Sequence, residues 1–378
     1  MTKPSTRRKW IIAVGSTLAA LGALAGIGAL VVTAPSPTWP DEAPAEHNRW
    51  YQHDLGDLAM AADGSDYRVY AKTGSSDNLI IYFGGGGVTW DEESADNPIT
   101  VGKYLFSSDP GNYFRSIPAF FPTTLGGVLE ADNPDNPFND WNVVVIPYAT
   151  GDFHAGNTAT ETMKYNGQEN VRLSLEWIRQ TMPVDPSKLL IAGSSAGGFG
   201  AAFWTPTVAQ LYPDSAVYSF SEGNQLPSDK WPAVSADLWG ADWQATFGYE
   251  PGANLFETAV TANREMEGEN VVFLDSNTTA DGTLLAFWAK INDRDADVDV
   301  WSAAMRASMS RLSQTVPNYF FYLTDDGADE QTGLTPHTLL SLPEFYTTVE
   351  GGVPFTEWLA TAVIDDAPYS VGEELLQQ

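Results

Sequence analysis

The sequence predicts an α/β protein with a mostly parallel central sheet and helices on both faces. Three observations predict it. From residue 47 onward, short β-rich runs alternate with helical patterns, the order that builds a parallel sheet through right-handed crossovers. Most of those runs are continuously apolar rather than alternating, as in strands covered on both faces. The 378 residues, 43% of them hydrophobic, suffice for one large core, and no internal repeat divides the chain.

The first element is a targeting segment. "MTKPSTRRKW" carries Lys3, Arg7, Arg8 and Lys9, with no acid before Asp41. The uncharged stretch "IIAVGSTLAALGALAGIGALVV" that follows is about 22 residues long. The apolar part of a signal peptide runs roughly 7–15 residues and a spanning helix needs about 20. Residues 1–34 are therefore expected to be an export signal or an N-terminal membrane anchor, with the basic residues inside. "TRRKWI" approximates a twin-arginine signal. "VTA", ending at Ala34, offers a cleavage site, although Pro35 directly after it is unfavourable. A buried core helix is the plainer alternative, opposed by the basic flank and by "APSPTWPDEAPAE". Residues 35–46 are read as a Pro-rich linker and 47–378 as an α/β domain. The expected location is extracytoplasmic, secreted or held at the membrane by the N-terminal segment alone.

Strands are expected at 67–71, 78–83, 142–148, 188–192, 216–220, 270–274 and 318–323. A helix is expected over 170–182, where Val171, Leu175 and Ile178 share one face. Two connections are too long to be simple. Residues 88–140 carry Tyr104, Phe106, Tyr113, Phe114, Phe120 and Phe121; residues 222–269 carry Trp231, Trp239 and Trp243. Both are expected to be aromatic-rich insertions over the carboxyl edge of the sheet, where ligands bind in such folds.

Composition excludes several functions. There are 49 acidic residues against 19 basic ones, a formal charge of −30. Such a surface repels nucleic acid and anionic lipid. With no cysteine, the chain has no disulfide, thiolate catalysis or Cys-ligated zinc. The alternating acids of "NDRDADVDV" resemble a calcium loop. However, Val298 stands where that loop needs Gly and Ala304 where it needs Glu, so a solvated acidic loop is expected and no metal or cofactor.

Chemistry is signalled by "IAGSSAGGFGAAFW", which turns from a strand into a helix. Gly193-Ser194-Ser195-Ala196-Gly197 fits the G-x-S-x-G nucleophile elbow, with Ser195 central and Ser194 in the variable position. A plain structural turn is the alternative. A serine needs a base. Of His47, His53, His154 and His337, only His337 follows Ser195, as the order Ser, acid, His requires. Helix capping after Pro336 is its other available role, and His154 is a candidate for the pocket lining. The acid should follow the penultimate strand, which leaves Asp275 at the expected strand end and Asp281, whose alternative role is a helix N-cap. "LIIYFGGGGVTW" supplies Gly84–Gly87 after an early strand, a loop of the kind that donates N–H groups to an oxyanion. No Gly-Lys-Ser/Thr follows, so it is not a phosphate loop. The second donor is expected to be Ala196 N–H.

"YFGGGGVTW", "NPFNDWNVVVIPYATGDFHAGN", "KYNGQENV", "GSSAGGFGA" and "TTADG" together resemble the pectin acetylesterase/Notum family of α/β-hydrolase carboxylesterases. The resemblance covers roughly 78–202, with patches near Asp281 and His337. It implies an α/β-hydrolase fold, Ser195 as nucleophile, Asp281 as acid and His337 as base. It also implies an oxyanion loop at Gly86, Gly87 and Val88, and an acylated polysaccharide such as pectin as the ester substrate. Three departures stand out: Val88 replaces the usual Trp, with Trp90 two positions on; Ser194 replaces a common Cys; and the family's disulfides are absent. The alternatives are an exported lipase or polyester-type esterase, and a non-catalytic binding protein on a hydrolase scaffold.

Overall fold

The computed structural model describes residues 36–377 except 101–102, 104–106, 108, 118–120, 122–124, 183 and 268–269. The expected export or anchor segment, and Tyr104, Phe106 and Phe120, lie outside the described residues.

Eight strands form one sheet: β1 (Tyr51–Asp54), β2 (Arg68–Lys72), β3 (Leu79–Phe83), β4 (Asn142–Ile146), β5 (Lys188–Ser194), β6 (Ala216–Glu222), β7 (Val271–Thr278) and β8 (Tyr319–Thr324). Their order is β1-β2-β4-β3-β5-β6-β7-β8. β2 runs antiparallel to both of its neighbours, and every other pairing is parallel. The expected α/β-hydrolase class, a mostly parallel sheet with surrounding helices, is the class observed. All seven expected strands occur. The unexpected β1 is a half-buried edge strand whose "YQHD" carries no apolar run.

Each central strand feeds two cores, because successive side chains leave opposite faces of the sheet. Leu79, Ile81, Phe83, Leu189, Ile191, Val217 and Phe273 line one core. Helices α1 (Gly167–Thr181), α2 (Ala196–Leu211), α3 (Leu255–Glu267), α4 (Gly282–Ile291) and α5 (Val298–Thr315) contribute to it. Ile80, Tyr82, Leu190, Ala192, Phe220 and Leu274 line the other, covered by α6 (Phe355–Val363) and by loop residues such as Phe138, Leu339 and Leu340. Burial on both sides explains the continuous apolar runs. In α1, Val171, Leu175 and Ile178 are buried as expected, while Arg172 pairs with Glu169 and Glu176 on the outer face.

The Pro-rich stretch is docked on the fold from Pro37 onward. Trp39 N–H donates to Gln52 O at 2.8 Å and Gln52 N–H to Pro37 O at 2.9 Å. The Trp39 ring is buried edge-on against Trp177, with centroids 5.4 Å apart. Among the described residues, no helix is long and apolar enough to cross a membrane.

Candidate active site

The site lies at the carboxyl edge of the sheet, built from the ends of β3, β5, β6 and β7 and the loop after β8. β5 ends at Ser194 and α2 begins at Ala196, so Ser195 is the turn itself. Its backbone has φ 58° and ψ −125°, a conformation strained for a residue with a side chain. Ser195 N–H donates to Glu222 O at 2.8 Å, holding the turn against β6. Small residues make the turn possible. A Cβ on Gly193 would lie 2.0 Å from Gly197 O, and one on Gly197 would lie 2.0 Å from Phe83 O.

His337 and Asp281 reach this turn from two loops zipped together. Thr335 N–H donates to Ala280 O at 3.0 Å, and Thr278 Oγ1 donates to Pro336 O at 2.6 Å. Asp281 forms a parallel bridge with Thr335. His337 Nδ1 then lies 2.6 Å from Asp281 Oδ2, and His337 Nε2 lies 2.8 Å from Ser195 Oγ. A carboxylate only accepts, so Nδ1 carries the proton and Nε2 accepts the Ser195 hydroxyl. Burial alone lowers the His337 pKa. Asp281, by charge and hydrogen bond, with Glu222 behind it, raises it above the ordinary histidine value.

Asp281 does two jobs at once. Its Oδ1 accepts Thr283 N–H at 2.8 Å and Leu284 N–H at 2.9 Å, capping α4. Asp275 is elsewhere. The strand expected to stop at Leu274 runs on to Thr278, so Asp275 is inside β7. Its buried carboxylate accepts Tyr319 Oη at 2.6 Å and Asn277 Nδ2 at 2.9 Å. Burial raises its pKa to about 7, against those hydrogen bonds.

The glycine loop leaves β3 beside the elbow. Val88, expected as an oxyanion donor, has its N–H committed to Asn112 O at 2.8 Å, so that expectation is corrected. Phe114 N–H bonds Gly86 O at 3.1 Å, which makes Gly87 and Tyr113 a non-hydrogen-bonded pair. In such a pair the N–H groups point away from the partner segment. Gly87 N–H is therefore turned out of that ladder, and Ala196 N–H stands at the free N-terminus of α2. His154 underlies the loop: its Nε2–H donates to Gly84 O at 2.9 Å. Burial lowers its pKa to about 4, so it stays neutral. It is buried beneath the loop rather than lining a pocket.

The insertions pack over this edge. Trp239 Nε1 donates to Thr89 O at 3.1 Å, and Phe153 stacks on Phe199 of α2 with centroids 4.1 Å apart. Trp231 and Trp243 are buried with them, and Trp90 meets Phe287 edge-on at 6.1 Å. In the acidic run, Asp297 caps α5 and Asp293 pairs with Lys230 at 2.5 Å. Sequence reasoning missed Glu222. The signal was a carboxylate closing an apolar strand, "AVYSFSE", on the edge that carries the elbow.

Residues 52–224 match the family model of the pectinacetylesterases. The chain is 26% identical over 159 residues to acetylxylan esterase A of Aspergillus awamori, covering 37% of this chain and 51% of that protein. It is 28% identical over 198 residues to palmitoleoyl-protein carboxylesterase notum1' of Xenopus laevis, covering 50% of this chain and 38% of that protein. The chain thus spans about half, or less, of the curated relatives it matches. Its fold is like that of the Wnt deacylase Notum from Drosophila, with TM-score 0.58 and 14% identity over 85% of this chain and 95% of that one.

Proposed function

From the premise that this chain carries a pectinacetylesterase-family region and resembles Notum, we propose that it is an exported serine carboxylic-ester hydrolase. Its substrate is an O-acylated polysaccharide such as pectin, from which it removes acetyl or another acyl group. The observation that carries the reading is the hydrogen-bonded line from Ser195 Oγ through His337 to Asp281, set on a strained strand–helix turn.

The chemistry follows from that line. His337 Nε2 takes the Ser195 proton as Oγ attacks the ester carbonyl carbon. Gly87 and Ala196 N–H groups hold the oxygen that becomes negative. His337 passes its proton to the departing alcohol, leaving an acyl group on Ser195. Water, deprotonated by the same imidazole, then releases the acid. Asp281 holds the tautomer and balances the imidazolium. No step calls for a metal or cofactor. Export rests on the basic and apolar character of residues 1–34, and the polysaccharide on the family resemblance.

The test is hydrolysis of p-nitrophenyl esters from acetate to palmitate, with acetate release from O-acetylated pectin measured beside it. The reading expects fastest cleavage of short esters and acetate release from pectin. A maximum at long chains would move the assignment to a lipase or polyester-type esterase. No cleavage of any ester would leave a binding protein on a hydrolase scaffold.

A further inference from the structure

A second buried carboxylate stands behind the triad, on the other face of the sheet from Asp275. Glu222 ends β6, one position from where the chain turns against the imidazole: a Cβ on Gly223 would lie 3.1 Å from His337 Cε1. Glu222 Oε1 accepts the Ser194 hydroxyl at 2.5 Å and Leu340 N–H at 3.0 Å, and Oε2 accepts Leu339 N–H at 2.9 Å. Its backbone carbonyl accepts the N–H of Ser195. One residue therefore grips the elbow on one side and the histidine loop on the other. Ser194 is held in turn by Tyr82 Oη at 2.9 Å, and Tyr82 also reaches Ser341 at 3.2 Å.

Burying an uncompensated carboxylate is strongly destabilising. Three donors offset that cost here, and an apolar side chain would collect none of them. The titratable groups facing the Glu222–His337 pair are Asp281, from the start of α4, and Tyr82, from β3. Asp275 faces away into the opposite core with Tyr319. Burial pushes the Glu222 carboxyl up to about 7, against the hydrogen bonds of Ser194, Leu339 and Leu340.

We infer that Glu222 is a positioning residue for the Ser195–His337 pair. Its carboxylate ties the elbow to the histidine loop and supplies a second negative charge toward the imidazolium that forms when Ser195 is deprotonated. The inference rests on the proposed roles of Ser195 and His337.

The test is the pH dependence of the rate at which a fluorophosphonate labels Ser195, read from the mass of the modified peptide, in wild type and in Glu222→Gln. Glutamine keeps the length and removes the charge. The expected result is labelling slower by about ten- to a hundred-fold, the scale of a small misalignment of reacting groups. The acid limb should move to lower pH, because the substitution removes a carboxyl that is negative beside His337 once ionised and that itself titrates near the same pH. An unchanged rate and limb overturn the inference. So does a loss that follows only the folded fraction with the limb unmoved. If Glu222→Gln does not fold, Glu222→Asp carries the test, since it keeps the charge and shortens the reach. The expectation is then a limb in place and a rate about ten-fold lower, and a wild-type rate overturns the inference. A wild-type protein that fails to label at Ser195 would overturn the triad reading instead, so the two failures are separate.

Discussion

At Asp281 the two roles open in the sequence, helix cap and triad acid, turn out to be compatible, because they use different oxygens of one carboxylate. Asparagine at this position keeps an oxygen for the cap and cannot hold the imidazole tautomer. Asp281→Asn should therefore lower turnover by roughly 10⁴-fold while the melting temperature stays near wild type, which steady-state kinetics and calorimetry would check together. Asp275→Asn should lose far less activity, since its partners are Tyr319 and Asn277. Sequence alone left both acids open because "DSNT" reads as a turn, whereas its backbone continues the ladder with β8 as far as Thr278. His337 carries a pH prediction. Its pKa is raised in the free enzyme, and the base must be neutral to accept the serine proton. The acid limb of kcat/KM should thus lie above the free-histidine value of about 6.5. A limb below it would mean that burial outweighs Asp281.

At the scale of elements, the glycine loop is a paired segment, bridged to Tyr113 at Gly87. Gly87 has φ +86°, and a Cβ there would lie 1.9 Å from Asn112 O, a backbone atom that cannot swing aside. A side chain at Gly87 would obstruct the proposed oxyanion site. The structure adds a structural cost. Gly87→Ala should lose activity by about 10²-fold or more and also lower the melting temperature, with strain of about 1–3 kcal/mol. An activity loss at unchanged stability would place the Asn112 segment elsewhere. The elements themselves were largely legible: continuous apolar runs marked every central strand, and the short "GSSAGG" marked the elbow. The rest depended on pairing. The edge strand β1 has no apolar run to announce it. The commitment of Val88 N–H and the grip of Glu222 on Leu339 and Leu340 join residues far apart in the chain, which local sequence does not record.

At the scale of the molecule, a strongly acidic chain encloses two apolar cores on either side of one sheet. Its charge of −30 suits solubility and disfavours a nucleic acid as partner. We propose that residues 1–34 are separable from the folded part. A protein starting at Pro35 should be soluble, folded and active. A protein starting at His47 should melt lower, because it loses Trp39 from its place against Trp177 and Tyr51. Circular dichroism melts of the two truncations would check this. Equal melting temperatures would mean that the Trp39 contact contributes nothing, and an insoluble longer form would make residues 1–34 part of the fold.

The central claim is that Ser195 carries the acyl group, and its most direct test is peptide mapping after reaction with a fluorophosphonate. A single adduct is predicted on the peptide containing Ser195, absent in Ser195→Ala, whose turnover should fall roughly 10⁶-fold. An adduct on Ser194, or equal labelling and turnover in Ser195→Ala, would contradict it.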